Sequence, residues 1–269
     1  MEPLYPVCPV CRTPLERRDR TLVCRNGHCF DLAKEGYCNL LTAQHRAGET
    51  TGDNNRMAQA RSAFLNKGCF APLAAAVTDF VRGAAPQSVV LDICCGEGYY
   101  SEAVLRQVPC RLLGFDLSKA MVRRAAKRGC SGFFFVANLS AIPLPDGSVD
   151  RAFHLFAPFH APEFARVLRP GGLLCTVMPG PDHLFALKAA VYASPYRNEV
   201  RLPDAAPLRL LNVRTVRADC TLTSNEDIRA LFDMTPYRYR TSPADLKKLD
   251  ALQTLTTPLE FVLAVYQKQ

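Results

Sequence analysis

Four residues near the amino terminus have the types and the spacing of a metal site. A C-x2-C pair is followed by a C-x3-H pair, formed by Cys8, Cys11, Cys24 and His28. Three thiolates and one imidazole make a closed tetrahedral set, so we expect one structural Zn²⁺ ion without a Lewis-acid role. Cys29 follows His28 directly and is an alternative fourth ligand. A segment of about forty residues buries little apolar core, so we expect metal binding to supply its folding free energy.

A second group of residues has the pattern of a ligand site at the end of a buried strand. The apolar run 89–93 includes Asp92 and leads into a small-residue turn, C-C-G-E-G, at 94–98. A second apolar run, 111–116, ends in Asp116. Small residues let the backbone approach a ligand, and N–H groups at the following helix start favour its polar groups. A carboxylate such as Asp116 can accept two hydrogen bonds side by side.

This arrangement resembles the S-adenosylmethionine site of the Rossmann-like class I methyltransferases. The resemblance implies that Asp92 reaches the amino end of the methionine part, directly or through water, and that Asp116 holds the two ribose hydroxyls. Gly96 and Gly98 then belong to the cofactor turn, which usually reads D-x-G-x-G-x-G. Cys94 replaces the first glycine of that turn. The turn tolerates it if φ is negative, whereas a positive φ costs roughly 1 kcal/mol or more.

Later segments predict the elements that must hold this site. Strands are expected at 133–138, 151–156, 173–178 and 259–266. A helix is expected at 162–168, ended by the R-P-G-G stop signal at 169–172. Asn138 and Leu139 end the first of these strands, where the adenine ring usually lies in such sites. The alternation predicts an α/β fold, with a parallel sheet, helices on both faces and an antiparallel end strand.

The same elements divide the chain into three parts. Residues 1–40 form the expected zinc-binding module. Residues 41–72 form a linker with a helix at 56–66 that leads to the cofactor site. Residues 73–269 form the methyltransferase domain, with an insertion or lid expected at about 189–217.

Composition adds expectations about location and partners. The chain has 269 residues, 12 cysteines and a formal charge of +8. We see neither a signal peptide nor an apolar run of roughly 18–20 residues, so we expect a cytoplasmic protein with reduced thiols and no membrane partner. A basic balance suits nucleic acid. The zinc module carries arginines that can contact phosphates, or alternatively form a solvated surface: Arg12, Arg17, Arg18, Arg20 and Arg25.

Further stretches accompany the Cys/His quartet and the cofactor turn along nearly the whole chain. They read F-D-L-A-K-E-G-Y-C-N-L-L at 30–41, G-D at 52–53, M-A-Q-A-R-S-A-F-L at 57–65 and P-G-P-D-H-L at 179–184. In this order they resemble the large-subunit ribosomal RNA guanine-N1 methyltransferases. The resemblance implies methyl transfer to N1 of a guanine in a hairpin loop of domain II of 23S rRNA, as naked RNA or in a ribosomal precursor. It also implies a zinc module that helps to recognise RNA, a homodimer, and cofactor contacts from Phe70, Gly96, Glu97 and His183.

Transfer to N1 requires a proton acceptor, because N1 of neutral guanine carries a proton. The candidates, which the sequence does not rank, are Asp182, His183, His160 and Glu163. Phe156 ends a predicted strand and Phe159 follows it, where both could stack a flipped-out guanine or pack in the core or at its rim.

Two other functions fit parts of this pattern. A small-molecule methyltransferase would have the same sheet, but it would leave the arginine-bearing zinc module without a task. A non-catalytic RNA-binding protein with a degenerate methyltransferase domain would explain Cys94, but not the intact Asp92, Gly96, Gly98 and Asp116.

Overall fold

The computed structural model describes residues 5–42 and 61–269 of the chain. The strands are β1 Leu15–Arg18, β2 Thr21–Cys24, β3 Cys29–Asp31, β4 Cys38–Asn39, β5 Val89–Ile93, β6 Arg111–Asp116, β7 Phe133–Val136, β8 Val149–Leu155, β9 Leu168–Pro179, β10 Leu208–Leu222 and β11 Leu255–Lys268. The α-helices are α1 Ala71–Arg82, α2 Tyr99–Leu105, α3 Lys119–Lys127, α4 Ala161–Val167, α5 Phe185–Val191, α6 Asn225–Asp233 and α7 Pro243–Leu246. Short 3₁₀ helices cover Pro236–Arg240 and Lys247–Ala251.

Most of the strands form one mixed sheet in the order β10-β11-β9-β8-β5-β6-β7-β4. The pairs from β9 to β4 are parallel, whereas β11 is antiparallel to both β9 and β10. The expected α/β fold is therefore confirmed. The antiparallel strand does not lie at the edge, because the long strand β10 pairs along its outer side.

The zinc module is joined to the main sheet by a strand that the sequence did not predict. Strand β4 pairs in parallel with β7 and places Cys38 opposite Phe135. Cys38 is fully buried. Beyond the pair, the Leu40 N–H donates to the Val136 carbonyl at 2.9 Å. Apolar residues on both sides of this join belong to one buried cluster, so the module is a continuation of the sheet edge.

Several element boundaries differ from the expectation. Strand β9 begins directly after α4 and includes the R-P-G-G stop signal at 169–172, ahead of the strand start expected at 173; Gly171 adopts φ +76° there. The expected insertion at 189–217 begins within α5 and ends within the edge strand β10. The helix expected at 56–66 is present at 61–65, and 56–60 lies outside the described residues, as does the G-D pair at 52–53.

Local signals explain where the helices begin. Ser118 caps α3, since its hydroxyl accepts the Met121 N–H at 3.4 Å. Ser224 caps α6 in the same way by accepting the Asp227 N–H at 3.2 Å. Among residues 5–42 and 61–269, no helix has the length and apolar character needed to cross a membrane.

Candidate functional site

The four predicted metal ligands converge in the structure, with one ligand atom of each within 4.8 Å of the others. His28 Nδ1 lies 3.5 Å from Cys8 Sγ and 3.3 Å from Cys24 Sγ. Cys11 Sγ lies 3.6 Å from Cys24 Sγ. Zinc bond lengths give tetrahedral edges of about 3.8 Å between two sulfurs and about 3.6 Å between sulfur and nitrogen. The quartet therefore fits one tetrahedral Zn²⁺ ion and leaves no open position.

Local contacts distinguish the four ligands from Cys29, the alternative fourth ligand. Cys29 is exposed, and its thiol donates to the Gly27 carbonyl at 3.3 Å, so it lies outside the quartet. The Gly27 N–H donates to the Cys24 carbonyl at 2.9 Å and tightens the second turn. Hydrogen bonds from Thr13 lower the pKa of Cys11 to about 5, which favours the thiolate that a metal ion binds.

The turn after β5 is built from residues in the left-handed backbone region. φ is +57° at Cys94, +53° at Gly96 and +76° at Gly98. Cys94 therefore has the positive φ at which a side chain strains the backbone. A Cβ at Gly98 would lie 2.9 Å from the Ala125 Cβ, so that position requires glycine. A Cβ at Gly96 would meet no atom within 4 Å, so the space over the turn is open to a ligand.

Asp92 and Asp116 end neighbouring parallel strands beside this turn. Asp92 is 2% exposed and accepts a hydrogen bond from the Ser101 hydroxyl at 2.6 Å. Burial raises the pKa of Asp92 to about 8, because desolvation disfavours the carboxylate. A ligand ammonium beside Asp92 would supply the positive charge that this carboxyl lacks. This pair of acids fits the amino and ribose ends expected of the cofactor.

Asp116 and Asn138 bind backbone groups at the carboxyl edge of the sheet. The Gly96 N–H donates to Asp116 Oδ2 at 3.0 Å, and the Ser118 N–H donates to Asp116 Oδ1 at 2.8 Å. A carboxylate oxygen can accept more than one hydrogen bond, so contacts to ribose hydroxyls are compatible with these backbone bonds. Asn138 Oδ1 accepts the Ser140 N–H at 2.9 Å, just past the end of β7. Leu139 follows Asn138 at this edge, partly buried against the apolar cluster.

Glu97 lies within the turn, but its side chain is bound to protein groups. It is 3% exposed and forms an ion pair with Arg128, which is also largely buried. The Ser62 hydroxyl donates to its second oxygen. Arg128 Nε also donates to the Glu97 carbonyl at 2.8 Å. The predicted cofactor contact of Glu97 therefore rests on its backbone or on a rearrangement of this pair.

An aromatic cluster lies where β8, β9 and α1 meet. Phe70, Phe156 and Phe261 surround His183, with ring centroids 6.3, 6.4 and 4.8 Å away, respectively. Phe70 is 3% exposed, whereas Phe156 is 46% exposed and adopts φ +54°. A large apolar side chain in this strained conformation presents its ring to solvent at the end of a strand. That is the geometry needed to stack an unpaired base.

His183 is held in one neutral form. Its Nδ1 accepts the Glu260 backbone N–H at 3.3 Å. Burial, together with the nearby charge of Lys188, lowers the pKa of His183 to about 4. A neutral imidazole that accepts at Nδ1 carries its hydrogen on Nε2. His183 is thus a hydrogen-bond donor through Nε2, and it does not accept a proton readily near neutral pH.

Glu260 on β11 fixes the whole turn that carries His183, a role that the sequence did not indicate. The Gly180 N–H donates to the Glu260 carbonyl at 2.8 Å, and the Asp182 N–H donates to Glu260 Oε2 at 2.7 Å. Arg217 forms an ion pair with Glu260 Oε1 at 2.6 Å. A Cβ at Gly180 would lie 2.5 Å from the Glu260 Cγ, so this approach requires glycine.

Two of the candidate proton acceptors are engaged in local structure. His160 is the N-cap of α4, where its Nδ1 accepts the Glu163 N–H at 3.3 Å. Glu163 Oε2 accepts the Ile142 N–H at 2.7 Å, and Arg166 donates to Glu163 Oε1 at 2.7 Å. Burial acts to raise the pKa of Glu163, but the bonds from Arg166 and Ile142 outweigh it and lower the pKa. The sequence H-A-P-E, with proline in the first helical turn, is itself a signal of capping.

The remaining candidates are Asp182 as proton acceptor and Phe159 as stacking residue, and they differ in exposure to solvent. Asp182 Oδ1 accepts from Arg197 Nε at 2.6 Å, but the side chain is 45% exposed. Phe159 is partly buried and packs edge-on against Phe164 at 4.9 Å and against His154 at 5.9 Å, so its ring contacts the core.

A parallel sheet with an acid-flanked glycine turn at the carboxyl ends of its strands defines a class I S-adenosylmethionine-dependent methyltransferase. Residues 90–172 match the family model described as "Methyltransferase domain", and residues 6–48 match the zinc ribbon described as "RlmA, N-terminal". The chain belongs to the family of 23S rRNA (guanine-N1)-methyltransferases. It therefore uses S-adenosylmethionine, and its Cys/His quartet is the structural zinc site of that family.

Individual relatives match over most of their length. The "23S rRNA (guanine(748)-N(1))-methyltransferase" of Streptomyces fradiae is 36% identical, with 91% of this chain and 89% of the relative covered. The "Putative 23S rRNA (guanine-N(1)-)-methyltransferase" of Micromonospora griseorubida is 33% identical over 96% of this chain and 94% of its own. The solved structure of the YcgJ protein from Bacillus subtilis aligns with a TM-score of 0.49 and 18% identity, covering 73% of this chain and 98% of that one.

Proposed function

We propose that this protein transfers the methyl group of S-adenosylmethionine to N1 of a guanine in a hairpin loop of domain II of 23S rRNA. The observation that carries the proposal is the joining of the zinc quartet and the cofactor turn in one chain, with the relationship to rRNA methyltransferases extending over both. S-adenosylmethionine supplies a methyl group on a sulfonium, which is an excellent leaving group. The protein's contribution is then mainly positioning and desolvation.

The residues around His183 account for how guanine is held. Phe156 offers the exposed ring on which the guanine stacks. His183 donates from Nε2 to an acceptor on the base, and guanine O6 stands beside N1. A hydrogen bond to O6 stabilises the negative charge that develops there when N1 loses its proton. His183 therefore makes N1 easier to deprotonate and so a better nucleophile, without taking the proton itself.

Asp182 is the proposed proton acceptor. His160 and Glu163 are bound to the start of α4, and His183 has its acceptor nitrogen occupied. Asp182 remains partly exposed in the turn that carries His183. In this proposal the N1 proton passes to the Asp182 carboxylate as N1 takes up the methyl group.

The remaining assignments rest on the resemblance to the family. We infer that residues 1–40 recognise RNA, 41–72 lead to the cofactor site and 73–269 carry out methyl transfer. Phe70, Asn138, Leu139 and Glu97 are proposed to line the bound cofactor. The protein is proposed to act in the cytoplasm as a homodimer, on naked rRNA or on a ribosomal precursor.

Mass spectrometry of 23S rRNA from cells with and without this protein tests the proposal. Loss of a single N1-methylguanine from the domain II hairpin supports it and identifies the position. Unchanged rRNA together with tight S-adenosylmethionine binding in calorimetry points to a small-molecule substrate. Absence of binding at millimolar cofactor points to a degenerate domain, with Cys94 as its cause.

A further inference from the structure

A groove lies between the zinc module and the amino-terminal edge of the main sheet. Its cavity volume is about 590 Å³. One wall is formed by the β1–β2 hairpin and the segment 32–36, and the other by residues at the starts of β6 and β7. Tyr5 packs edge-on against Phe133 at 5.1 Å within the lining. Strand β4 attaches the zinc module to the sheet beside this groove.

The charged residues that line the groove are all positive. They are Arg17, Arg20, Lys34 and Arg111, and no carboxyl side chain lines it among the described residues. Within residues 5–42 and 61–269, none of these four cations forms an ion pair. Some cations outside the groove are neutralised, as in the pairs Arg123–Glu35 and Arg166–Glu163. Such a concentration of unneutralised positive charge in a concave surface attracts anions.

The backbone around the groove is held in place on both sides. The Leu32 N–H donates to the Arg20 carbonyl at 2.8 Å, which connects the hairpin to the segment bearing Lys34. The Arg111 N–H donates to the Ser88 carbonyl at 2.9 Å on the sheet side. The zinc quartet closes the far end of the hairpin. Cations on a fixed frame lose less conformational entropy on binding than cations on a flexible tail.

The groove and the cofactor turn lie at opposite ends of the same strand. Strand β6 begins at Arg111 in the groove wall and ends at Asp116 beside the turn, six residues in all. Five steps of about 3.3 Å place these ends about 17 Å apart. A ligand that contacts both must be long and must carry negative charge along its length. An RNA stem that continues from the target loop has this form.

We propose that this groove binds the sugar-phosphate backbone of the RNA segment that flanks the methylated loop. Arg17, Arg20, Lys34 and Arg111 neutralise phosphates there, while the target base enters the cofactor edge of the sheet. Arg12 takes no part, because its guanidinium donates to the carbonyls of Ile142 and Leu144 at 3.0 and 2.9 Å. The inference rests on the proposed rRNA substrate and assigns it a second contact surface.

The test compares two quadruple variants of the full-length, zinc-loaded protein. The groove variant carries Arg17→Gln, Arg20→Gln, Lys34→Gln and Arg111→Gln. The control variant removes the same number of surface cations outside the groove, with Arg201→Gln, Arg229→Gln, Arg240→Gln and Lys247→Gln. Binding of a transcribed 23S rRNA fragment that contains the domain II hairpin and its stem is measured across a range of salt concentrations.

Each phosphate contact contributes roughly 0.7–0.9 to the slope of log K against log salt concentration, so the groove variant is expected to lose about three units of slope. The control variant is expected to keep the slope to within about half a unit. Equal losses in both variants, or no loss in the groove variant, would overturn the proposal. Zinc content and S-adenosylmethionine affinity verify that both variants fold. A wild-type protein that binds the fragment but methylates nothing would contradict the proposed function and leave the groove assignment standing.

Discussion

The backbone N–H of Glu260 donates to His183 Nδ1 at 3.3 Å, while the Glu260 carboxylate accepts the Asp182 N–H at 2.7 Å. One residue of β11 thus sets both the tautomer of the buried histidine and the position of the neighbouring aspartate. Because the Glu260 side chain is 3% exposed, no water replaces it easily if it is removed.

Replacing Glu260 should therefore lower the rate of methyl transfer more than the affinity for the cofactor. Glu260→Ala leaves the Asp182 N–H without its acceptor and is expected to lower the free energy of unfolding by about 1–3 kcal/mol. The single-turnover rate of methyl transfer is expected to fall by about tenfold, which corresponds to about 1.4 kcal/mol in the barrier. Glu260→Gln keeps an acceptor oxygen and should restore most of that rate. Equal rates for wild type and Glu260→Ala would reduce Glu260 to a purely structural residue.

Cofactor binding should depend on the ionisation of Asp92. Its pKa is raised to about 8 by burial, and the cofactor ammonium pairs only with the carboxylate form. Affinity for S-adenosylmethionine is therefore expected to rise toward about pH 8 as Asp92 ionises, and to fall above it as the cofactor's own ammonium loses its proton. Calorimetry between about pH 6.5 and pH 9 measures this profile.

Two variants complete the Asp92 experiment. Asp92→Asn should bind the cofactor more weakly and should lack the rise in affinity below about pH 8. Asp79→Asn removes an exposed carboxyl on α1 and should retain the wild-type profile. A flat profile for the wild-type protein would argue against contact between Asp92 and the ammonium.

The positive φ of Cys94 predicts a gain in stability on replacement by glycine. Cys94→Ala removes the thiol but keeps a Cβ at φ +57°, so it retains the backbone strain. Cys94→Gly removes both. The difference in unfolding free energy between the two variants, measured in urea, is expected to be about 1 kcal/mol in favour of glycine. An alanine variant as stable as the glycine variant would show that the turn is not strained.

The zinc site offers a matched pair of cysteines. Cys11→Ser removes a ligand and is expected to abolish binding of the single zinc ion, whereas Cys29→Ser should keep it, because that thiol lies outside the quartet. Elemental analysis gives the zinc content. Loss of the ion should disorder the β1–β2 hairpin and impair RNA binding, while S-adenosylmethionine binding persists. RNA affinity that survives zinc loss would contradict the assigned role of the module.

Asp182 and Asp219 provide a matched test of the proton acceptor, since both line one cavity on the β10–β11 side. Asp182→Asn is expected to lower the single-turnover rate by roughly 10²–10⁴-fold, the usual contribution of general base catalysis. Asp219→Asn should leave the rate near wild type. If both variants are equally active, N1 loses its proton without this carboxylate.

Much of the site could be predicted from the sequence because its parts are local. The zinc ligands lie on two tight turns of one hairpin, and the cofactor turn joins a strand directly to a helix. In both cases, residues a few positions apart determine the geometry. The sequence also identified Cys94 as the one residue that departs from the glycine pattern of the turn. Its φ of +57° in the structure shows that this departure strains the backbone.

Other features depend on strand register and could not be predicted. Glu260 lies 77 residues beyond His183, and nothing in the spacing indicates that they meet. The pairing of β4 with β7, which joins the zinc module to the sheet, needs only two residues, too short a strand to produce a periodic pattern. His160 and Glu163 were plausible bases by type, but their use in the helix cap follows from which partners the fold brings to them.

The amino-acid sequence by itself determined the zinc quartet, the cofactor turn with its two acids, and the class of fold, because short-range sterics and ligand chemistry specify them. Only the tertiary structure decided which nitrogen of His183 carries the hydrogen, which acidic side chains remain exposed, and where the zinc module attaches. These depend on hydrogen bonds between strands that are distant in sequence, whose register is set by packing of the whole sheet.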